Sequence, residues 1–183
     1  RLLKLKLGGA EDLKRIEAVH LARPDARLIV DANEGLLPAD FPAISKAAAG
    51  LGVVLIEQPF PASDDEALVR RPAPVAICAD ESAHTSSDIQ ALARRYDAVN
   101  VKLDKTGGLT EALAMVHAAR ASGMGVMIGC MVAGSISMAP AVLLAGLCDA
   151  ADLDGPLWLK EDVANGLTYR DGWVEPPTGA LWG

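Results

Sequence analysis

Short apolar runs that each end in a polar residue recur along the chain. Three of them end in an acid, and they occupy residues 27–33, 53–59 and 75–82. Each run is rich in Val, Ile and Leu and is bounded by Gly or Pro, which is typical of a strand buried on both faces. The stretches between them, residues 36–52 and 61–74, are long enough for helical crossovers. The pattern therefore predicts parallel strands linked by helices.

The rest of the chain continues this alternation of strand and helix. Apolar and basic residues alternate over residues 2–7, so Lys4 and Lys6 are expected to share one face of a strand. The helix predicted over residues 86–95 is expected to bury Ile89, Leu92 and Ala93. Hydrophobic spacing predicts further strands at 98–103, 125–129 and 150–155, and further helices at 11–23, 109–122 and 135–147.

The repeat of one strand and one helix predicts the fold class. It is α/β, and the repeat is the signature of a (β/α) barrel, whose active sites lie at the C-terminal strand ends. We count seven strands, one fewer than the eight of a closed barrel, so an incomplete barrel is expected over residues 1–156. An open doubly wound sheet is the alternative, but it does not explain polar residues at nearly every strand end. Residues 157–183 are predicted to form a C-terminal hairpin and strap, with Asp171-Gly172 at the hairpin turn.

Charge and cysteine usage narrow the class of protein. A formal net charge of −7 disfavours nucleic acids and acidic membrane surfaces as partners. No apolar run approaches the length of a membrane span. Cys78, Cys130 and Cys148 are odd in number and lack metal-type spacing, so reduced thiols and a cytoplasmic location are expected.

The start of the chain affects the expected activity. It begins at Arg1 without Met and enters a strand at once, so we expect a fragment of a longer polypeptide. A barrel that lacks a strand exposes edges with unpaired backbone groups, which invite association with other chains. A homo-oligomer with little activity of its own is therefore expected for this chain alone.

Three acids at successive strand ends are the first chemical signal. Asp31, Glu57 and Asp80 should converge, because parallel strands bring their C-terminal ends to one side. At about 4 Å and an effective dielectric near 20, each pair would repel by roughly 4 kcal/mol. Either the acids take up protons or they hold a cation. Three oxygen ligands without His or Cys suit Mg²⁺, with Mn²⁺ as an alternative. The other interpretation is three unrelated capping or loop acids.

Two lysines at strand ends are the second signal. Lys102 lies within an apolar strand, where an unpaired charge is costly. The second and sixth strands of a barrel stand nearly opposite one another, so Lys6 and Lys102 are expected to face each other across the metal. Lys4 would help Lys6 to act as a base, since a second cation disfavours the charged form. Lys4 and Lys6 could instead be the gatekeepers of an exposed edge strand.

A metal with two opposed bases indicates proton abstraction beside a carboxylate. The α-proton of a carboxylate is weakly acidic, so the enediolate that forms needs strong electrostatic stabilisation, which a divalent ion supplies. A proton removed from one face and replaced on the other inverts the stereocentre.

The chain contains an ordered set of motifs, namely Lys4-Leu-Lys6, Asp31-Ala-Asn33, Glu57-Gln-Pro59, Asp80-Glu81-Ser82 and Asn100-Val-Lys102-Leu-Asp-Lys-Thr-Gly-Gly108. This set resembles the enolase superfamily, in its muconate-lactonizing subgroup. Within that subgroup, Asp152-Leu-Asp154-Gly-Pro156 is most similar to dipeptide epimerases, and to the alanyl-glutamate epimerases in particular.

The resemblance implies a role for each motif. It implies that Asp31, Glu57 and Asp80 bind Mg²⁺, that Lys6 and Lys102 are the acid–base catalysts, and that Lys4 supports Lys6. It further implies that Asp152 and Asp154 hold the α-ammonium group of the substrate, a task that suits two adjacent carboxylates. The expected enzyme is an isomerase that epimerises small L-Ala-D/L-Glu dipeptides by two-base 1,1-proton transfer through an enediolate.

Several alternatives remain at this stage. Muconate cycloisomerase and o-succinylbenzoate synthase share the lysines and the acids, but their substrates have no ammonium group for Asp152 and Asp154 to bind. The two acids could also be part of a turn before Gly155. Members of the superfamily carry an N-terminal capping domain and a first β/α unit that this chain lacks, and residues 157–183 would pack on that cap. A catalytically inactive truncated barrel is the last alternative.

Overall fold

The computed structural model describes residues 2–69 and 73–182. Its strands are β1 (Leu2–Lys6), β2 (Arg27–Asp31), β3 (Val53–Glu57), β4 (Ala76–Ala79), β5 (Ala98–Lys102), β6 (Gly125–Gly129), β7 (Ala150–Ala151), β8 (Tyr169–Arg170) and β9 (Trp173–Val174). Its α-helices are α1 (Asp12–Ala22), α2 (Phe41–Gly50), α3 (Ile89–Leu92), α4 (Leu103–Thr106), α5 (Leu109–Ala121), α6 (Ser135–Ala145) and α7 (Gly179–Trp182). Short 3₁₀ helices cover Ala62–Leu68, Ser86–Asp88 and Gly155–Trp158.

Strands β1 to β7 follow one another in sequence order in a seven-stranded sheet. Pairing is parallel from β1 through β5 and again between β6 and β7. Strands β8 and β9 form a separate antiparallel hairpin. The predicted α/β class and the count of seven strands are therefore confirmed.

The described residues form two compact units. The first contains residues 2–69, 73–83 and 90–99, and the second contains residues 84–89 and 100–182. The boundary that the sequence predicted after residue 156 stays a prediction.

The register of the first unit places its polar strand ends in one row. Lys6 pairs with Asp31, and Asp31 pairs with Glu57, all at the C-terminal ends of their strands. Ile29 of β2 and Ile56 of β3 are at most 2% exposed. Strand β2 buries Leu28, Ile29 and Val30 in succession, so both of its faces are covered, and its charged residue Asp31 lies at the C-terminal end.

The second unit is built around β6 and the helices α5 and α6. Val126, Met127 and Ile128 of β6 are buried, and Met127 and Ile128 pair with β7. The β8–β9 hairpin turns at Asp171 and Gly172, which both have positive φ, at 51° and 80°. That is the two-residue turn favoured by the twist of the flanking strands, so the predicted hairpin is confirmed.

Three details of the sequence interpretation need correction. The segment predicted as one helix over residues 86–95 is a 3₁₀ turn followed by the short α3, and Ala93 is exposed because α3 ends at Leu92. Strand β7 stops at Ala151 instead of continuing to residue 155, since Gly155-Pro156 begins a 3₁₀ helix and proline cannot donate to a ladder. The segment 61–74, predicted as a helical crossover between two strands, contains a 3₁₀ helix over Ala62–Leu68. Residues 70–72 of this segment lie outside the described part of the chain.

Within residues 2–69 and 73–182, no helix combines the length and the apolar character that a bilayer span needs.

Candidate active site

Three buried carboxylates meet at the strand ends of the first unit. Asp31 and Glu57 are the last residues of β2 and β3, and Asp80 follows β4 directly. Their exposed fractions are 0%, 0% and 2%, and one carboxylate oxygen from each lies within 4.8 Å of the others. The convergence predicted from the sequence is thus observed.

Two ammonium groups compensate this negative charge. Lys4 Nζ lies 3.1 Å from Asp31 Oδ2 and 2.8 Å from Glu57 Oε2, and Lys6 Nζ lies 2.7 Å from the same Asp31 oxygen. Buried acids need such compensation because their desolvation is expensive. Three converging carboxylate oxygens that already attract cations are the donor set that a hard divalent ion prefers, so these residues fit Mg²⁺.

The two lysines differ in exposure. The side chain of Lys4 is 15% exposed and bridges two of the acids, whereas the side chain of Lys6 is 65% exposed. Lys6 also donates to Asn33 Oδ1 at 2.9 Å. Lys6 is therefore held at its tip yet open to solvent, and Lys4 is enclosed among the acids.

The pKa of Glu57 is strongly raised by its surroundings. Burial, together with the charges of Asp31 and Asp80, raises the pKa of Glu57 to about 7, and the opposite charge of Lys4 partly counters this. A divalent cation at the same place would favour the ionised form. The site is thus short of positive charge even with both lysines present.

Asn33 organises the rim of the carboxylate cluster. Its backbone N–H donates to Asp31 Oδ1 at 3.0 Å, and its side-chain amide donates to Glu81 Oε1 at 3.2 Å. Its φ of 41° lies in the left-handed region, which Asn tolerates better than most residues. The sequence signalled Asn33 and Glu81 only as motif members and indicated neither contact.

The second unit contains the other predicted site residues. Lys102 ends β5 with 7% exposure, and Asp152 and Asp154 follow β7. Burial raises the pKa of Cys130, which follows β6; Asp152 and Asp154 raise it further, and Lys102 lowers it. The charges of Lys102, Asp152 and Asp154 therefore all affect the pKa of the Cys130 thiol.

The acid-pair loop, defined as residues 152–155, is fixed from both sides. Asp152 N–H donates to the Ile128 carbonyl at 2.9 Å. Tyr169 O–H donates to the Leu153 carbonyl at 2.6 Å, and Trp158 Nε1–H donates to Asp154 Oδ2 at 3.2 Å. The sequence did not indicate these contacts, because Tyr169 lies far along the chain in the hairpin.

Glycines allow two close approaches in this unit. A Cβ on Gly129 would lie 2.5 Å from Asn100 Oδ1, and Asn100 is fully buried two residues before Lys102. A Cβ on Gly155 would lie 2.9 Å from the Met131 carbonyl oxygen. Distances under 3 Å are not sustained by real Cβ atoms, so both positions require glycine.

Known proteins match the chain along nearly its whole length. Residues 1–180 match the family described as enolase C-terminal domain-like. The L-Ala-D/L-Glu epimerase of Escherichia coli (strain K12) is 49% identical over 172 residues, covering 94% of this chain and 54% of that protein. The N-acetyl-D-glutamate racemase of a Pseudoalteromonas species is 46% identical over 182 residues, covering 100% of this chain and 58% of that protein.

A solved structure agrees with these matches. The dipeptide epimerase of Methylococcus capsulatus, complexed with Mg and the dipeptide L-Arg-D-Lys, is 34% identical with a TM-score of 0.89, covering 96% of this chain and 53% of that one. The chain thus spans about half the length of the curated relatives that it matches. The resemblance inferred from the motifs is confirmed: the chain belongs to the enolase C-terminal domain-like family.

Proposed function

We propose that this chain forms the catalytic part of a Mg²⁺-dependent epimerase of L-Ala-D/L-Glu type dipeptides. The observation that carries the proposal is the cluster of three buried carboxylate oxygens within 4.8 Å, compensated by Lys4 and Lys6. Such a cluster is costly unless it binds a cation. A metal-dependent reaction explains why the chain keeps it.

In this proposal Asp31, Glu57 and Asp80 hold the metal ion. When bound, the ion would supply positive charge to stabilise the negative charge that develops as the α-proton leaves. Mn²⁺ prefers similar oxygen ligands and is the alternative. Lys4, which contacts two of these acids, offsets part of their negative charge and holds them in place when no ion is bound.

The proton transfer is assigned to Lys6 and Lys102. One lysine, in its neutral form, takes the α-proton and leaves an enediolate. The other, in its protonated form, delivers a proton to the opposite face of the α-carbon and inverts the stereocentre. The exposure of the Lys6 side chain, 65%, supports its access to a substrate.

Asp152 and Asp154 are assigned to the free α-ammonium group of a dipeptide. Two adjacent carboxylates form strong charge-assisted hydrogen bonds to a cationic amine. The contacts from Tyr169 and Trp158 support a fixed position for the pair. Muconate cycloisomerase and o-succinylbenzoate synthase are disfavoured, because their substrates offer nothing for these acids to bind.

A second candidate function is racemisation of an N-acylated amino acid. The 46% identity with the N-acetyl-D-glutamate racemase along the whole chain favours it. An N-acyl group is uncharged, so it gains little from two adjacent carboxylates. We therefore rank the dipeptide first.

The test is α-proton exchange in the full-length gene product. L-Ala-L-Glu and N-acetyl-D-glutamate are incubated with the protein and Mg²⁺ in D₂O, and deuterium at the α-carbon is followed by NMR. We expect exchange and inversion of the dipeptide, loss of inversion in Lys102→Ala, and preferential loss of dipeptide turnover in Asp154→Asn. Turnover of only the N-acetyl substrate would establish the second candidate, and exchange that persists with chelator present would refute the metal-dependent reaction.

A further inference from the structure

Two residues of the quoted motifs, Gln58 and Ser82, have no role in metal binding or in proton transfer. They meet in a buried polar cluster with Asp65, Arg95 and Tyr96, which we call the Gln58 cluster. All five residues belong to the first unit, as do the three acids of the metal site. The Gln58 cluster meets that site at the backbone of Asp80, and Gln58 itself directly follows Glu57 in sequence.

Gln58 connects the turns that follow two strands. It directly follows Glu57, is fully buried, and has a φ of 34°, which is uncommon for a residue other than glycine. Its side-chain Oε1 accepts from the backbone N–H of Asp80 at 2.8 Å and of Ser82 at 3.2 Å. Beyond the end of β4, the Gln58 amide therefore accepts the backbone hydrogen bonds that a neighbouring strand would otherwise accept, and it fixes the backbone that carries Asp80.

The other end of the amide faces three acceptors, and two of them are hydroxyl groups that must be oriented correctly. Gln58 Nε2 donates to the Phe60 carbonyl oxygen at 2.9 Å, to Ser82 Oγ at 2.8 Å and to Tyr96 Oη at 2.9 Å. Both hydroxyl groups in turn lie against one oxygen, Asp65 Oδ2, at 2.6 Å and 2.8 Å. An ionised carboxylate accepts but does not donate, so both hydroxyl protons point to Asp65.

These hydrogen bonds of the Gln58 cluster therefore run from donor to acceptor in one direction, from the Gln58 amide through the two hydroxyl groups to Asp65. The hydroxyl groups use their protons on Asp65, so they present lone pairs to Gln58 and require its NH₂ end to face them. The carbonyl end of the amide must then face the N–H of Asp80. Asp65 is 2% exposed, and Arg95 donates to its Oδ1 at 2.7 Å, so both oxygens of this buried carboxylate have hydrogen-bond donors.

We propose that Asp65 is a positioning residue for the metal site, acting through Tyr96, Ser82 and Gln58 to fix the loop that carries Asp80. The inference rests on the proposed metal site. Mg²⁺ demands near-ideal geometry from its ligands, so a looser Asp80 loop should bind it less tightly. Partners beyond the ligands commonly alter metal affinity by 10–100-fold when they are replaced.

The test replaces the carboxylate by its neutral isostere. In Asp65→Asn an amide NH₂ must face either the two hydroxyl groups or Arg95, so the direction of the cluster is broken without a change in size. We expect the Kd for Mg²⁺, measured by calorimetry on the full-length gene product, to rise about ten-fold or more. Tyr96→Phe leaves Ser82 to act alone and should produce a smaller rise in the same direction.

The matched control is Ile16→Val, which alters a buried residue of α1 in the same unit and lies outside the Gln58 cluster. It should lower the unfolding temperature and leave the Kd for Mg²⁺ within two-fold of the unaltered protein. If Asp65→Asn does not fold, Tyr96→Phe decides. Unchanged affinity in a folded Asp65→Asn or Tyr96→Phe variant, or an equal loss in Ile16→Val, overturns the inference. A lack of Mg²⁺ binding by the unaltered protein overturns the metal site and, with it, this role of Asp65.

Discussion

Replacing Lys4 by Met tests whether the carboxylate cluster depends on positive charge. Lys4 Nζ contacts Asp31 at 3.1 Å and Glu57 at 2.8 Å, with 15% of its side chain exposed. At an effective dielectric near 20, each contact corresponds to an attraction of about 5–6 kcal/mol, part of which offsets the desolvation of the ammonium group. Breaking a buried pair by removing one partner typically costs about 3–5 kcal/mol. We expect Lys4→Met to lose about 3 kcal/mol of unfolding free energy without metal.

The loss should depend on pH in a defined direction. The pKa of Glu57 in the folded protein is about 7, above its ordinary value of 4.5, so ionising Glu57 opposes folding as the pH rises through 7. Lys4 counters that cost. The deficit of Lys4→Met should therefore be larger at about pH 8 than at about pH 5.5, where Glu57 is protonated.

The assay is urea unfolding with EDTA and, in parallel, with saturating Mg²⁺. The ion should restore most of the stability lost in Lys4→Met, because it supplies the missing positive charge. Lys14→Met is the matched control, since Lys14 forms an exposed pair with Glu11 that is worth at most about 1 kcal/mol. Equal stability of the Lys4 and Lys14 variants in EDTA, or a deficit that Mg²⁺ leaves unchanged, would refute the reasoning.

Three further predictions concern the second unit. Gly129→Ala places a methyl group 2.5 Å from Asn100 Oδ1 and should cost about 2 kcal/mol of unfolding free energy, whereas Gly146→Ala, where nothing lies within 4 Å, should cost little in the same denaturant titration. Tyr169→Phe removes a hydrogen bond to the acid-pair loop worth about 1 kcal/mol, so the KM for dipeptide should rise about five-fold with kcat nearly unchanged; an unaltered KM contradicts it. The side chain of Asp162 accepts hydrogen bonds at the N-terminus of α6, and these lower the pKa of its carboxyl group. The stability that this carboxylate contributes is therefore present above the pKa of an unperturbed aspartate and is lost as the pH falls through the lowered pKa of the folded protein. Proteolysis of residues 157–178 should therefore accelerate at acid pH, and in Asp162→Asn it should be fast at every pH.

The carboxylate cluster could be predicted from the sequence because its geometry follows from strand periodicity. Asp31, Glu57 and Asp80 each come after a run of apolar residues, and parallel strands in register bring such ends together. The shared face of Lys4 and Lys6 follows from the same period of two. Nothing beyond local pattern and a parallel sheet was needed.

The contacts around the cluster could not be predicted in this way. Gln58 meets Tyr96 across 38 positions of sequence, and its left-handed φ is not a conformation that glutamine favours. The acid-pair loop depends on Tyr169 in the same way. The sequence pattern also predicted β7 to be too long. Asp152 and Leu153 continue the alternation of apolar and polar residues, but the strand ends at Ala151 and a 3₁₀ helix begins at Gly155.

Metal binding and the position of the proposed base are coupled through one oxygen atom. Lys4 and Lys6 both contact Asp31 Oδ2, at 3.1 Å and 2.7 Å, so an ion held by Asp31 would compete with two ammonium groups for the same negative charge. The contact with Asp31 and the 2.9 Å hydrogen bond to Asn33 Oδ1 together fix the tip of the Lys6 side chain. An ion on Asp31 would weaken the first of these contacts and would leave the ammonium group of Lys6 freer to turn toward a substrate. In the proposed mechanism, the acid that helps to hold the ion therefore also sets the position of one acid–base group.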